Sequence, residues 1–297
     1  MTNRATPPPH PKSKTFIVGC GDIGLRVARL EQQAGRHVGA LARSEASAAR
    51  LISRNIEVIR GDLDQAETLT ALPTEIETLF YFAPPPPTGS DDPRLERCLS
   101  VLPELPKRFV YISTSGVYGD CDGAWIDEDW PLQPKTDRGR RRLRAELTLR
   151  KWHEQHGLDM RILRVPGIYG PGRLPVERVR QGVPVIHPQE SAYSNRIHAD
   201  DLAAACLAAA DRGAPGGAYN ISDGHPTTMS DYFWRIADLY GLPRPPAISL
   251  AEARQVLSAN MLSFLEESKR LDNRRMLTEL QVELRYPDLG SGLPSCL

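Results

Sequence analysis

Residues 15–24 read TFIVGCGDIG, an apolar run that stops at a glycine-rich turn. The next apolar side chains, Ile23, Val27 and Leu30, recur at the spacing of one helix face, and this pattern ends at Gly35. The sequence therefore predicts a strand, a tight turn and a helix. The turn has the pattern G-x-G-x-x-G, formed by Gly19, Cys20, Gly21, Asp22, Ile23 and Gly24.

This pattern predicts a dinucleotide-binding loop, and we assign all six of its residues to the cofactor site. Glycines at the three fixed positions permit the turn, the approach of a pyrophosphate and close helix packing. The helix N-terminus then faces the anion. Cys20 is expected to fill the turn as a small residue, the alternative being a thiolate stabilised by the helix.

Strands alternate with helices over the first half of the chain. Further strands are predicted at residues 37–42, 57–60, 78–82, 108–113 and 160–164, and helices at 46–54 and 138–156. Alternation of this kind predicts an α/β fold with a doubly wound parallel sheet, whose ligands bind outside the carboxyl ends of the strands.

Three regions are expected along the chain. Residues 1–13 are predicted to form a disordered, proline-rich tail, and residues 14–170 the dinucleotide-binding domain. Residues 171–297, where Pro and Gly are frequent and the alternation lapses, are predicted to form a smaller, mixed substrate-binding lobe, with returns to the main sheet from about 193–225.

Composition argues against several classes of function. Lys+Arg and Asp+Glu both number 37, so no overall field attracts nucleic acid or an anionic membrane. No apolar run approaches the roughly 20 residues of a membrane span. The 5 cysteines form no C-x-x-C pair, which argues against a disulfide framework or a zinc site. We expect a cytoplasmic protein with no metal. The arginine run at 138–144 leaves nucleic-acid contact as an alternative, disfavoured because no aromatic residues interleave with it.

The end of the second predicted strand bears on the choice of cofactor. Its sequence, LARS at residues 41–44, has no acid to read the ribose hydroxyls of NAD. Arg43 is expected to pair with the 2′-phosphate of NADP and Ser44 to donate to it, so NADP is favoured over NAD. A solvated strand end is the alternative for Arg43. Asp62 either accepts from the adenine amino group or caps a helix beginning at Asp64, and both interpretations stay open.

Three later segments carry a family resemblance. They are YISTSGVYGD at 111–120, ILRVPGIYGPGR at 162–173 and NRIHADD at 195–201. With the glycine-rich loop, they resemble the extended short-chain dehydrogenases/reductases, the NAD-dependent epimerase/dehydratase family. The segments at 219–224 and 267–270 resemble a small, atypical bacterial subgroup of it. The resemblance implies a Rossmann sheet, a small-molecule substrate between two lobes, and a homodimer through the helices near 92–102 and 138–156.

The resemblance also implies a catalytic arrangement that this chain has altered. In the family a Ser or Thr binds the substrate oxygen, a Tyr is the acid and base, and a Lys four residues later assists that Tyr and binds ribose. These positions fall on Thr114, Arg138 and Arg142. A guanidinium stays protonated and presents only donors, so Arg138 can bind an oxyanion but cannot transfer a proton near neutral pH. Arg142 could still donate to ribose or to phosphate.

Two functions remain open after these replacements. The leading hypothesis is an NAD(P)-dependent oxidoreductase or epimerase-like protein acting on a small hydroxyl or carbonyl substrate held by Thr114. The alternative is a non-catalytic NAD(P)-binding sensor or scaffold. Tyr118, Tyr169 and His198 are minor candidates for a substitute acid or base. A sugar-nucleotide dehydratase is disfavoured, because Ser115-Gly116 stands where such enzymes place an Asp-Glu pair.

Overall fold

The computed structural model describes residues 15–257, 262 and 267–297, so the tail predicted at 1–13 lies outside the described residues. The described strands, numbered in chain order, are β1 Thr15–Val18, β2 Val38–Ala42, β3 Glu57–Arg60, β4 Thr78–Tyr81, β5 Arg108–Thr114, β6 Trp125–Ile126, β7 Met160–Val165, β8 Gly167–Tyr169, β9 Val185–Ile186, β10 Tyr193–Ser194, β11 Arg196–His198, β12 Ala218–Asn220, β13 Thr227–Thr228, β14 Ala247–Ile248 and β15 Arg270–Leu271.

Helices cover the sheet, and some of those after residue 170 pack together in a region that we call the smaller lobe, defined by its apolar cluster around Val179, Phe233 and Ile236. The described α-helices are α1 Asp22–Gln33, α2 Glu45–Ile52, α3 Pro93–Ser100, α4 Asp137–His156, α5 Val176–Arg180, α6 Ala199–Arg212, α7 Met229–Leu239, α8 Leu250–Val256, α9 Arg274–Thr278 and α10 Leu289–Gly292. Within the described part of the chain, none of the helices is long and apolar enough to cross a membrane.

The core of the molecule is a sheet of 7 strands in the order β12-β7-β5-β4-β1-β2-β3. All pairings in it are parallel. The inner strands β1, β4 and β7 are buried along their whole length, which explains the apolar runs of β1 and β4, whereas β7 also carries the buried Arg161 and Arg164. The order changes direction between β1 and β4, so a ligand-binding crevice is expected at the carboxyl ends of these two strands. The predicted doubly wound α/β fold is confirmed.

Two apolar layers hold the helices against the sheet. On one face α1 and the alanine-rich α6 pack together, because small side chains let the two helices approach closely. On the other face α3 and α4 contribute buried side chains that include Leu99 and Leu149. A separate apolar cluster joins α5 to α7 in the smaller lobe, around Val179, Phe233 and Ile236. The boundary predicted between residues 170 and 171 stays a prediction.

A buried ion pair connects α4 to two strands of the sheet. The carboxylate of Glu146 accepts from Arg164 on β7, with 2.9 Å between Oε2 and Nη2, and from the hydroxyl of Ser113 on β5. The side chains of Arg164 and Glu146 are only 2% and 1% exposed. Arg164 also donates to the Tyr118 hydroxyl and the Glu128 carbonyl. These contacts tie α4 to both β5 and β7.

We predict that Glu146→Ala destabilises the protein by about 3–5 kcal/mol, because it leaves the Arg164 charge buried without a partner. The free energy of unfolding in urea measures this loss. Glu177→Ala is the matched control: its ion pair with Arg180 is exposed, so its effect should stay within about 0.5 kcal/mol. Equal losses in the two variants would contradict the assigned importance of the buried pair.

Candidate functional site

The glycine-rich loop joins β1 to α1 at the carboxyl edge of the sheet. Gly19 has a φ of 91°, and a Cβ there would overlap the Ala83 nitrogen just after β4. A Cβ on Gly24 would lie 3.1 Å from the Gly19 carbonyl oxygen, so this glycine lets α1 pack on the loop. A Cβ on Gly21 would meet no atom of the described residues within 4 Å. Gly21 therefore borders the open space that an approaching pyrophosphate needs.

A cavity of about 450 Å³ opens in front of this loop, at the ends of β1, β2, β3 and β4. We call it the glycine-loop cavity. The structure brings six of the predicted cofactor residues together in its lining: Gly19, Cys20, Gly21, Arg43, Ser44 and Asp62. Arg50, which sequence reasoning missed, also lines it and donates to the Cys20 carbonyl oxygen at 3.3 Å. Its position on the helix after the second strand was the available signal.

The other residues of the motif support the loop and do not line this cavity. Ile23 belongs to the apolar core, and the Asp22 carboxylate pairs with Arg26 and with Arg173 of the smaller lobe. Burial raises the pKa of the Cys20 thiol to about 12, so this cysteine is a neutral, space-filling residue. The expectation of a small residue in a tight turn fits this environment better than a thiolate.

Ser44 and Asp62 both have local hydrogen bonds in addition to their place in the cavity. The Ser44 hydroxyl caps α2 by accepting from the Ser47 nitrogen at 3.2 Å. Asp62 accepts from the Asp64 nitrogen at 3.0 Å through Oδ1. This bond stabilises a turn, but the capping interpretation of Asp62 is wrong in its helix, because no α-helix begins at Asp64 and a 3₁₀ turn follows at Ala66–Thr68.

A second cavity, of about 460 Å³, lies at the ends of β5 and β7. We call it the Thr114 cavity. Because β5 is the neighbour of β4 in the sheet, the two cavities follow one another along the same carboxyl edge. The sheet side contributes Thr114 and α4 contributes Arg138, while the smaller lobe contributes Arg178 and Phe233. Such a cleft between lobes is the expected place for a small substrate.

Thr114 and Arg138 meet in this cavity, but Arg142 does not join them. The Thr114 hydroxyl accepts from the Gly116 nitrogen at 3.2 Å, which leaves its own hydrogen free to be donated. Gly139 lets α4 begin close to this turn, since a Cβ there would lie 2.7 Å from the Gly116 carbonyl oxygen. Arg142 lines neither cavity: its guanidinium donates to the Tyr111 hydroxyl at 2.9 Å and to the Ile112 carbonyl at 3.1 Å.

The three substitute acid or base candidates also lie outside the Thr114 cavity. The Tyr118 hydroxyl donates to Asn220 and accepts from Arg164, and burial raises its pKa. The Tyr169 hydroxyl donates to the Asp288 carbonyl, and burial raises its pKa as well. His198 has no exposed surface, and burial lowers its pKa, which favours the neutral ring.

Sequence reasoning missed a carboxylate and an amine that do line the cavity. Glu267 is the one carboxylate among its described lining residues. Its Oε2 accepts from the Lys269 amine at 3.0 Å, whereas its buried Oε1 has no hydrogen-bond partner in the part of the chain that the structure describes. The Lys269 amine also donates to the Gly119 carbonyl oxygen. The resemblance of residues 267–270 to the atypical subgroup was the only signal in the sequence.

The comparisons with known proteins agree with this architecture. A model of the NAD dependent epimerase/dehydratase family matches residues 16–222. This chain belongs to that family. The resemblance inferred from the glycine-rich loop and the later motifs is thereby confirmed.

Individual family members match nearly the whole chain. Protein YeeZ of Escherichia coli (strain K12) is 27% identical over 287 residues, which cover 93% of this chain and 97% of YeeZ. A functionally unknown conserved protein from Silicibacter pomeroyi DSS is 30% identical with a TM-score of 0.79, covering 95% of this chain and 97% of that one. MoeE5, solved in complex with UDP-glucose and NAD, shares the fold with a TM-score of 0.71 at 24% identity, covering 95% and 97% of the two chains.

We predict that Gly21→Ala weakens dinucleotide binding at least tenfold and leaves the unfolding free energy nearly unchanged. The new methyl group meets no described protein atom but enters the space needed by the pyrophosphate. NADPH fluorescence titration measures the first effect and urea unfolding the second. Gly24→Val should instead lower stability as well, because its side chain would press on the loop. Unchanged NADPH affinity in Gly21→Ala would contradict the assignment of this loop.

Proposed function

We propose that this family member is an NADP-dependent oxidoreductase or epimerase-like enzyme that acts on a small hydroxyl or carbonyl substrate. The observation that carries the proposal is the arrangement of two cavities along one sheet edge, the first open at Gly21 and the second bearing the Thr114 hydroxyl. A nicotinamide dinucleotide would supply the acceptance and donation of hydride. The complex of MoeE5 with UDP-glucose and NAD supports a dinucleotide beside a small-molecule substrate.

The preference for NADP rests on the basic wall of the glycine-loop cavity. Arg43 and Arg50 line it from the end of β2 and from α2. A guanidinium forms charge-assisted hydrogen bonds with a phosphate, and a 2′-phosphate is the group that distinguishes NADP from NAD. Arg94 lines the same cavity but is already paired with Asp64. Arg43 and Arg50 are therefore the residues proposed to select NADP.

In the Thr114 cavity, we assign binding of the substrate oxygen to Thr114 and proton transfer to Glu267. Thr114 has a hydroxyl hydrogen to donate, and Arg138 adds a fixed positive charge that stabilises an oxyanion. Arg138 cannot accept a proton near neutral pH. The unpartnered Oε1 of Glu267 can accept the proton of a substrate hydroxyl, and Lys269 orients this carboxylate through its Oε2.

A sensor or scaffold is the second candidate function. It is favoured by Arg138 at the position where the family has its tyrosine, and by the burial of Tyr118, Tyr169 and His198 away from the cavity. Such a protein would bind NADPH and undergo a conformational or binding response without turnover.

Under either function we propose a cytoplasmic homodimer that pairs through α3 and α4. Gel filtration of the purified chain tests the dimer.

For cofactor choice, we predict that Arg43→Ala weakens NADPH binding about tenfold to a hundredfold and NADH binding much less. The lost charge-assisted hydrogen bond is worth about 1.5–3 kcal/mol and exists only with the 2′-phosphate. Fluorescence titration with both cofactors measures the difference. Arg29→Ala, on the exposed side of α1, should change neither affinity. Equal losses for both cofactors in Arg43→Ala would show that this arginine only supports the fold.

To separate the enzyme from the sensor, we predict that Thr114→Val lowers carbonyl reduction about 10²-fold to 10³-fold with NADPH affinity unchanged, as expected when one donor to an oxyanion is removed. Oxidation of NADPH with a panel of aldehydes and ketones measures turnover. Thr148→Val, on the same helix α4 as Arg138 but outside the cavity, is the matched control. Undetectable turnover in the wild type with intact NADPH binding would favour the sensor.

A further inference from the structure

The Thr114 cavity concentrates positive charge in a chain whose net charge is zero. Five cationic side chains line it against the single carboxylate of Glu267: Arg138, Arg173, Arg178, Arg196 and Lys269. Three of the five have an acidic neighbour. Arg173 pairs with Asp22, Lys269 pairs with Glu267, and Arg138 is attracted by Glu267. Arg178 and Arg196 have no carboxylate oxygen within 4.0 Å in the part of the chain that the structure describes.

Both of these arginines are desolvated. Arg196 is only 8% exposed and Arg178 is half-buried, and the Nε atoms of both are buried with no hydrogen-bond partner among the described residues. Burial lowers the pKa of each guanidinium, which records the cost of removing the charge from water. A buried charge without a counter-charge is unfavourable, so these two residues favour the binding of an anion in the cavity.

Two neighbouring aromatic rings hold the pair in place. The guanidinium of Arg178 lies 4.4 Å from the centre of the Phe233 ring, and that of Arg196 lies 3.8 Å from the centre of the Tyr232 ring. The two rings are themselves in edge-to-face contact. Stacking on a ring leaves the edge of a guanidinium available, and that edge donates two parallel hydrogen bonds to a carboxylate or a phosphate.

Gly167 leaves space for the side chain of Arg196. A Cβ on Gly167 would overlap its guanidinium, so a larger residue at position 167 would require the end of this arginine to shift from its place on the cavity wall. Its nearest neutral partners are the Ser194 hydroxyl and the Met229 sulfur. Asp223 acts on Arg196 only at longer range, and burial raises the pKa of Asp223 to about 7. Near neutral pH this carboxyl is partly protonated and compensates the arginine incompletely.

We infer that Arg178 and Arg196 bind an oxyanion of the substrate, a carboxylate or a phosphate group, in the Thr114 cavity. The word substrate rests on the proposed function, but the anion site does not depend on hydride chemistry. Thr114 lies on the sheet side of the cavity and the arginine pair on the side of the smaller lobe. One group of the ligand is therefore held by the arginines while another reaches the Thr114 hydroxyl.

Isothermal titration calorimetry with inorganic phosphate and with malonate, each against chloride at equal ionic strength, tests this inference. The wild type should bind at least one of the two anions saturably. Arg178→Met should weaken that binding about tenfold or more, since charged hydrogen bonds are lost. Arg180→Met is the matched control on the same helix, because Arg180 pairs with Glu177 outside the cavity and its loss should change nothing. The stronger anion identifies phosphate or carboxylate as the preferred group.

Arg196→Lys provides a second variant that keeps the charge and removes the planar fork. It should weaken anion binding while urea unfolding and NADPH affinity stay close to the wild type. Absence of saturable binding by both anions, or equal binding by Arg178→Met and Arg180→Met, overturns the inference. Anion binding that is lost in Gly21→Ala but kept in Arg178→Met places the anion at the glycine-rich loop and also overturns it. If the wild type binds the anion but not NADPH, the proposed function is contradicted and the anion site is not.

Discussion

The buried ion pair between Glu146 and Arg164 is the interaction on which the placement of the site depends. It forms only when α4, β5 and β7 are all in position, because Ser113 on β5 donates to the same carboxylate. Each charge would be strongly unfavourable in the core without the other. Thr114 follows Ser113 directly, and Arg138 lies on the first turn of α4. The pair therefore brings both residues to one cavity.

Arg138, which is predicted to stand at the position of the family's tyrosine, affects what this cavity can do. An arginine at position 138 contributes a charge and cannot transfer a proton near neutral pH, and the hydroxyls of Tyr118 and Tyr169 are hydrogen-bonded outside this cavity. Recognition of anions and stabilisation of an oxyanion are favoured by this chemistry, whereas proton transfer needs another group. Among the described residues that line the cavity, Glu267 from the C-terminal part of the chain is the carboxylate with a buried oxygen that has no hydrogen-bond partner. The site is thus assembled across both lobes.

Local patterns were sufficient for the sheet and for the glycine-loop cavity. The strands predicted at 15–18 and 57–60 are observed with the same limits. The helix predicted at 138–156 begins one residue earlier, at Asp137. Buried parallel strands are continuous apolar runs, and these are visible without any tertiary information. The motif likewise identified Gly19 and Gly21 as residues of the glycine-loop cavity, because the three glycines determine the geometry of the turn. It did not separate them from Ile23 and Asp22, which support the loop from outside the cavity.

The sequence by itself determined the doubly wound sheet, the family and the position of the glycine-rich loop, and it predicted that Arg138 and Arg142 stand at the positions of the family's tyrosine and lysine. Only the tertiary structure decided that Arg142 donates hydrogen bonds to β5. It also decided that Arg178, Arg196 and Glu267 share a cavity with Thr114. Strand and loop signals depend on neighbours along the chain, so they can be read locally. Burial, charge compensation and the meeting of distant side chains depend on how the smaller lobe packs on the sheet, and no local spacing encodes that.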